Sequence, residues 1–525
     1  MRVFLFMDMK RINLAIQKSG RLNKDSLDLL RKCGIKIDNY KDQLKASSTN
    51  FPIEVYFLRN SDIPKYIDNG VVDMAIIGEN LLIEKDFDIN VLKKLGFSKC
   101  KVSIAIPNNK EFNSIEDLNN LKNADYKDIA YFVLNPFLKD LFSEKEIKQL
   151  ISDAYQSFDE GIVSITELGE NQLLNLFHGP TLAFKDYAMC LLAKIYELYL
   201  RKKNQKLVIV GATSGDTGSA AIHAFKGIEN IDIIILHPHN ATSLFQRKQM
   251  TTSGADNVFN IALEGSFDDC QTLVKKTFND QELNTKYHFT AINSINWFRI
   301  LPQSIYYAWA YLNHNVDSFV VPSGNFGNIY SAHLLKSMGF PLKNLVIATN
   351  ENNILHRIIA NNDFSLTDVI KTNSPSMDIT ISSNFERILA ESFSPEELSH
   401  LYQNLINHSH NPKLDETVHE QLAGKFKSEY ATSDEVQKCI KKYFDSNKVL
   451  IDPHTAVGVV CAEKMNLNNH MCLACAHPVK FQETVTKSLG HEIKYDKNFE
   501  FKSSEKFEIL KNDYNLLKDF ILNNA

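Results

Sequence analysis

A parallel α/β architecture is what this sequence predicts, on three observations. From Lys206 onward, apolar runs at 207–210, 231–236, 258–263, 288–292, 318–321 and 345–349 alternate with helical stretches at 242–251, 267–278, 299–313 and 327–338. Such alternation implies parallel strands covered by helices on both faces. Two of these strands run into glycine-rich turns that open helices, at Gly211–Gly218 and Ser323–Asn328. Ligands in sheets of this kind collect at the carboxyl ends of the strands. Finally, 525 residues exceed one ordinary core, and length alone suggests roughly two to four domains.

The first third reads as a smaller α/β lobe, with strands at 12–17, 53–58, 73–78 and 102–106 and helices at 24–33 and 61–68. Met1–Met7 is shorter than a signal-peptide core and lacks a cleavage site after it, so it is read as an extension of the first strand. The polar stretch Asn108–Asp125 is the candidate seam, placing the domains at 1–118 and 119–525. Beyond it, Ile129–Phe137 and Glu144–Tyr155 read as helices, and the charged span Asp378–Lys448 as helices with a solvated face.

Charge is nearly balanced, 58 basic against 63 acidic residues. No basic stripe points to nucleic acid, and no polybasic or amphipathic segment points to a membrane surface. No run approaches the roughly 18 to 20 apolar residues of a membrane span. The eight cysteines are scattered, as in a reducing cytosol, so a cytoplasmic location is expected. Cys472-Leu473-Ala474-Cys475 lies in an apolar, strand-like run without a second ligand pair, so it is read as structural and no metal is expected.

Chemistry concentrates in a few stretches. His178-Gly179-Pro180-Thr181-Leu182-Ala183-Phe184-Lys185-Asp186 places a lysine after a tight turn and an apolar pair. Such a lysine could carry a Schiff base, or simply start a helix in solvent. The two glycine loops aim backbone N–H groups and a helix's positive end at anions, which suits a phosphorylated cofactor plus an anionic substrate. Asn293, Ser294, Asn296 and Arg299 form a polar cluster beside Trp297 and Phe298. Arginine is the side chain shaped to fork onto a phosphate, a surface salt bridge being the alternative.

The ordered motifs HGPTLAFKD, GATSGDTGSAA, NSINWFRILPQ, VPSGNFGN, DPHTAVG and AHPVKF closely resemble threonine synthase over about residues 126–490, and more loosely over 502–525. The resemblance implies a tryptophan-synthase-β-like fold (fold type II) that uses pyridoxal 5'-phosphate. It implies Lys185 as the Schiff-base lysine and principal proton carrier. Gly324, Asn325, Phe326, Gly327 and Asn328 would cup the cofactor phosphate, Asp216 would lie near the phenolic oxygen, and Thr455 would face the pyridine nitrogen. Thr213, Ser214, Gly215 and Thr217 would grip the substrate carboxylate, while Asn293, Ser294, Asn296 and Arg299 would receive the phosphate of O-phospho-L-homoserine. Asp186 is read as a helix cap; His178 either helps move protons or braces its turn.

The opening lobe resembles a different family. Ile12–Leu22, Arg59, Asp62-Ile63-Pro64 and Gly70–Asn80 are similar to the start of ATP phosphoribosyltransferase, over about residues 10–118. That resemblance implies a periplasmic-binding-protein-like α/β lobe, with Lys18–Arg21 and Gly78-Glu79-Asn80 on the nucleotide side and weak ATP or AMP binding left open. The lobe is read as incomplete. The acidic pair and Ser/Thr-Gly-x-Thr-Leu turn that would hold phosphoribosyl pyrophosphate have no counterpart between Val102 and Asp125. The strand and turn with which threonine synthases usually begin are missing too. The leading expectation is a threonine synthase, a carbon–oxygen lyase, behind a truncated lobe. Its rivals are a phosphoribosyltransferase of histidine biosynthesis with a passenger body, and a non-catalytic fusion relic. A serine or threonine dehydratase is disfavoured by the Asn293–Arg299 cluster.

Overall fold

The computed structural model describes residues 11–524 except 20, 38–42, 60–61, 79–91, 93–94, 96–120, 160, 241, 407–412, 496–500 and 502. The chain divides into two compact units, Met1–Phe112 and Asn113–Ala525. Each is described by itself.

In the first unit, β1 (Ile12–Gln17), β2 (Lys45–Ser47), β3 (Ile53–Leu58) and β4 (Met74–Ile76) form a sheet in the order β2-β3-β1-β4. β1 runs parallel to β3 and β4, with Leu14 opposite Val55 and Met74, while β2 is antiparallel to β3. Helices Arg21–Lys32 and Ile63–Asp68 accompany the sheet. Ala15, Ile16 and Val55 are fully buried, so the central strand has apolar cover. β4 is shorter than the expected 73–78; at its start Asp73 donates its N–H to Asn13 O at 2.9 Å and its carboxylate accepts the Asn13 N–H at 2.8 Å. The expected strand at 102–106, the Met1–Met7 extension and Gly20, Glu79 and Asn80 lie outside the described residues, as does the side chain of Arg21.

The second unit opens with helices Tyr126–Leu138 and Glu144–Ala154. Their apolar faces enter the same core as Tyr187, Leu191, Tyr306 and Phe319. A Ser143/Glu146 capping box starts the second of them by satisfying helix-end donors reciprocally. Its strands are β5 (Ser164–Leu168), β6 (Asn171–Asn175), β7 (Leu207–Ala212), β8 (Ile231–Pro238), β9 (Val258–Glu264), β10 (Phe289–Thr290), β11 (Ser318–Pro322), β12 (Asn344–Thr349), β13 (Lys427–Tyr430), β14 (Met471–Ala474) and β15 (Glu508–Lys511). They form a five-stranded sheet, β10-β7-β8-β9-β15, and a six-stranded sheet, β13-β12-β11-β14-β6-β5. Every pairing is parallel except the β5–β6 hairpin.

The fold differs from the sequence expectation at three places. The helix expected over 299–313 is broken into Trp297–Ile300, a 3-10 turn Leu301–Gln303 and Ser304–His314, because Pro302 cannot donate a helical hydrogen bond. The span expected to be helical from Asp378 to Lys448 contains β13 and an irregular stretch before Phe385. The β5–β6 hairpin lies in a region where no strand was expected. No helix among the described residues is long and apolar enough to cross a membrane.

Asn257 ties the five-stranded sheet to the loop beneath it. Its Nδ2 donates to the carbonyls of Phe225, Ile228 and Ile231 at 3.0, 3.3 and 2.7 Å, and its Oδ1 accepts the Gly227 N–H at 2.7 Å. Asn257→Ala should lower unfolding free energy by about 1 to 3 kcal/mol, since it strands these groups without enlarging the core. An unchanged urea midpoint would show that water replaces the amide without loss.

Candidate active site

Three adjacent parallel strands, β11, β14 and β6, deliver their carboxyl ends to one place. The chain leaves β6 through His178–Phe184 and enters the helix Lys185–Lys203. Leu182 takes a left-handed conformation, φ 63°, to make that turn. The turn is stitched to the segment after β14, Phe184 N–H donating to Cys475 O at 2.9 Å and His477 N–H to Leu182 O at 3.0 Å. Asp186 is fully buried and accepts from Thr181 N and Oγ1 at 2.8 and 2.5 Å. It braces the turn from inside rather than capping the helix. Burial lifts its carboxyl to about 6, against the pull of Thr181 and Lys480. His178 is buried, with Nε2 at 2.7 Å from Ser164 Oγ on the hairpin.

The loop after β7 supplies the carboxylate. Thr213 Oγ1 accepts the Gly215 and Gly218 N–H groups at 3.0 and 2.9 Å, so this hydroxyl shapes the loop. Gly215 sits at φ 146°, and a Cβ there would lie 2.6 Å from Gln246 Cδ. Only glycine permits both the backbone and the approach. Asp216 then opens the helix Asp216–Phe225. Its Oδ2 lies 3.2 Å from Lys185 Nζ and 3.4 Å from Ser376 Oγ. Its Oδ1 lies 2.8 Å from Gln246 Nε2 and 3.1 Å from Lys480 Nζ. Burial opposes ionisation of Asp216, but Lys185 and Lys480 overcome it and hold the carboxyl far below its ordinary range. Burial drives the Lys185 amine below the usual lysine value; Asp216 resists, and Arg299 and Lys480 add to the depression.

The Ser323–Asn328 loop follows β11 and opens the helix Gly327–Ser337, with Phe326 held left-handed at φ 61°. Among the described residues, the N–H groups of Gly324 through Asn328 meet no protein acceptor. Over the loop lies the segment 376–384. Ser382 Oγ donates to Gly324 O at 2.8 Å, Ser383 Oγ to Asn325 Oδ1 at 3.1 Å, and Asn384 Nδ2 to Asn325 O at 3.0 Å. A Cβ on Gly324 would meet the Ser376 carbonyl at 3.1 Å and Met377 Cα at 3.3 Å, both backbone. Asn328 Oδ1 accepts from Tyr306 and Tyr307, while its buried Nδ2 is without a partner among the described residues.

Thr455 Oγ1 donates to Asp452, which also receives the N–H and ring Nδ1 of His454. His454 Nε2 in turn accepts the Ser376 N–H at 3.2 Å. Ser376 therefore touches Asp216, the His454 group and the backbone facing Gly324. Arg299 is buried; its guanidinium donates to Ile292 O at 2.7 Å, leaves Nε unpartnered among the described residues, and is pushed down to about 10 by burial. It is thus no surface salt bridge. Its neighbours divide. Ser294 Oγ lies 3.3 Å from Ser383 Oγ, but Asn296 caps the helix Trp297–Ile300 and Asn293 is exposed. Ser214 is exposed and Thr217 half-buried.

Sequence reasoning passed over Lys480, Gln246, Asp452, Ser376 and Ser382–Asn384. The AHPVKF motif contained Lys480, and its apolar surroundings were the signal that this lysine is not solvated. Pyridoxal phosphate requires an amine, an anion cradle and a polar partner for its ring nitrogen. The residues fit it: an amine of lowered basicity at Lys185, unclaimed N–H donors before a helix, a glycine surface too tight for a Cβ, and the Thr455 hydroxyl.

Comparison with known proteins agrees with this geometry. The Pyridoxal-phosphate dependent enzyme family matches residues 173–471, and the family described as Threonine synthase, C-terminal, matches 455–521. ATP phosphoribosyltransferase matches 59–156, a stretch that runs past residue 112 into the second unit. Threonine synthase of Pseudomonas aeruginosa is 41% identical, over 73% of this chain and 84% of that protein. The Schizosaccharomyces pombe threonine synthase is 39% identical, over 72% and 82%. Among solved structures, the pyridoxal-phosphate-bound threonine synthase of Brucella melitensis superposes with a TM-score of 0.74 at 37% identity, covering 78% of this chain and 91% of that one. Yeast threonine synthase gives 0.72 at 32%, covering 80% and 92%. With an amine, a carboxylate and an anion cradle meeting at the strand ends that these relatives share, the chain belongs to the threonine synthase family of pyridoxal-phosphate-dependent enzymes.

Proposed function

We propose that this protein converts O-phospho-L-homoserine and water to L-threonine and phosphate, acting in the cytoplasm through the body from 119 to 525. The observation that carries the reading is Lys185, a buried amine of lowered basicity, 3.2 Å from a carboxylate and beside an anion-binding loop. When bound, pyridoxal phosphate supplies an electron sink that lets a Cα proton leave.

The chain's own residues do the rest. The Lys185 amine, its basicity lowered by burial, takes a proton at the substrate Cα and returns one later in the reaction, with Asp216 Oδ2 orienting it. The N–H groups of Gly324–Asn328 bind the cofactor phosphate without a lysine counter-charge. Thr455, oriented by Asp452, presents an oxygen to the ring nitrogen. Thr213 Oγ1 accepts two N–H groups of its own loop and keeps its hydroxyl hydrogen, so with Ser214, Gly215 and Thr217 it grips the substrate carboxylate. Arg299 brings a buried positive charge, and with Asn293, Ser294 and Asn296 nearby it receives the substrate phosphate.

The chain's second resemblance, to ATP phosphoribosyltransferase, supports a different reading of residues 1–118: a nucleotide-side wall without phosphoribosyl transfer. Lys18 and Ser19 lie exposed just past β1, where ATP or AMP could meet them. Stabilising a departing pyrophosphate dominates such catalysis, and even one lost oxyanion donor costs about a hundred- to a thousand-fold.

Three outcomes test these assignments. Borohydride reduction of the purified protein, followed by peptide mapping, should find the phosphopyridoxyl label on Lys185; a label on another lysine removes it from the centre of the site. Arg299→Leu should lower kcat/KM for O-phospho-L-homoserine by roughly thirty- to a thousand-fold, about 2 to 4 kcal/mol of transition-state binding, while cofactor affinity holds. Equal losses for cofactor and substrate would instead mark Arg299 as a packing residue. Incubation with ATP and phosphoribosyl pyrophosphate should yield no phosphoribosyl-ATP. Product formed by the wild type and lost in Arg21→Ala would show that the first lobe is a complete transferase.

A further inference from the structure

Lys480 has no role in the reaction derived above, yet it is among the least exposed charged side chains of the protein, at 1%. It follows β14 in the short 3-10 turn Pro478–Phe481, whose start is fixed by His477 accepting the Val479 N–H. Its Nζ donates to Thr181 O at 2.6 Å and Gln249 Oε1 at 2.9 Å, and pairs with Asp216 Oδ1 at 3.1 Å. An ammonium has three donors, and three acceptors surround this one. Lys185 is placed differently: its nitrogen has Asp216 Oδ2 at 3.2 Å and the face of Phe184 at 5.4 Å. One carboxylate thus lies between two ammonium groups, one fully coordinated and the other not.

We propose that Lys480 is a positioning residue that keeps Lys185 able to give up its proton, by claiming one oxygen of Asp216 and by clamping the Thr181 carbonyl in the turn that leads to Lys185. The charge balance explains the first part. The titratable and charged groups facing Lys185 are Asp216, Arg299, Lys480 and the Cys475 thiol. Two permanent or fully coordinated cations against one carboxylate disfavour a third positive charge at Lys185, and burial acts in the same direction. Without Lys480, Lys185 would be the one ammonium left beside Asp216, whose other partners Gln246 and Ser376 are neutral, and a tight buried ion pair holds its proton. The second part is geometric. Thr181 is gripped on opposite sides, its N–H and hydroxyl by Asp186 and its carbonyl by Lys480 and Gln249. Lys185 begins the helix four residues on, so its amine is aimed by that grip.

The inference rests on Lys185 as the proton-moving group, and the phosphopyridoxyl label tests that premise separately. The measurement is trace acylation of the full-length, cofactor-free chain with acetic anhydride across pH, the Lys185 peptide being quantified by mass spectrometry. The wild type gives a first outcome: Lys185 should react with a midpoint at least about one pH unit below that of exposed Lys139, and an equal midpoint overturns the proposal. In Lys480→Gln, and in Lys480→Met should the first variant fold poorly, the Lys185 midpoint should rise by about one unit or more. Lys480→Arg, which keeps the charge, should restore it. Gln249→Ala loosens the same turn without removing charge and should move the midpoint by less than the uncharged Lys480 variants do. In the holoenzyme, the acid limb of kcat should move up with Lys480→Gln while KM changes little. A Lys185 midpoint that stays put in the uncharged variants, or moves as far in Gln249→Ala, would reduce Lys480 to a structural tie.

Discussion

The shared carboxylate of Asp216 is the interaction on which the rest of the second unit depends. Asp216 comes from the end of β7 in the five-stranded sheet, whereas Lys185 and Lys480 follow β6 and β14 in the six-stranded sheet. The two sheets therefore meet through a buried ion cluster. Such clusters are weak contributors to net stability, because desolvation consumes most of the Coulombic gain. They are strict about geometry, since removing one partner leaves an unpaired buried charge. That strictness suits a cleft between sheets, where apolar packing alone would permit sliding.

A second polar cluster holds the segment that covers the glycine loop. The Asp378 carboxylate accepts Asn350 Nδ2, Asn352 Nδ2, Thr372 N and Thr372 Oγ1 at distances from 2.7 to 3.0 Å. Asn350 and Asn352 follow β12, the neighbour of β11. The strap is thus anchored to the same sheet edge that supplies the loop beneath it, and Ser376 and Ser382–Asn384 are carried into place from one fixed point. Neither cluster contains a repeat or a periodic pattern; each joins residues far apart in sequence.

That separation explains what could be read from the sequence and what could not. Apolar runs such as Leu207–Val210 and Phe319–Val321 announced their strands, and the glycines after them announced the anion cradle, because these signals are local. Lys185 stood out for the same reason, whereas Asp216 was singled out only by the resemblance of its loop to a known family. Lys480 did not stand out, although Val479 and Phe481 beside it are apolar, because its three acceptors come from distant segments and are brought together only by the fold. Thr213 was legible as a loop residue but not as the acceptor for Gly215 and Gly218, a choice made by the loop's own curvature. The β5–β6 hairpin was missed although Gly169 lies at its turn, because Ser164–Leu168 is too short and polar to stand out as an apolar run. Pro302 was visible throughout, and its break in the helix should have followed from its missing N–H alone.

The place of β6 has a consequence for how the molecule is made. Its parallel partner on the core side is β14, with Met471 opposite Gln172, so roughly 300 residues separate two strands that must lie side by side. At about 5 to 20 residues per second, a ribosome needs roughly 15 to 60 seconds to deliver the second after the first. During that interval the hairpin presents an unpaired edge, and the lysine turn lacks the segment to which it is stitched. The six-stranded sheet can close only once β14 has been made, so the interior that surrounds the lysine turn is assembled long after the turn itself leaves the ribosome.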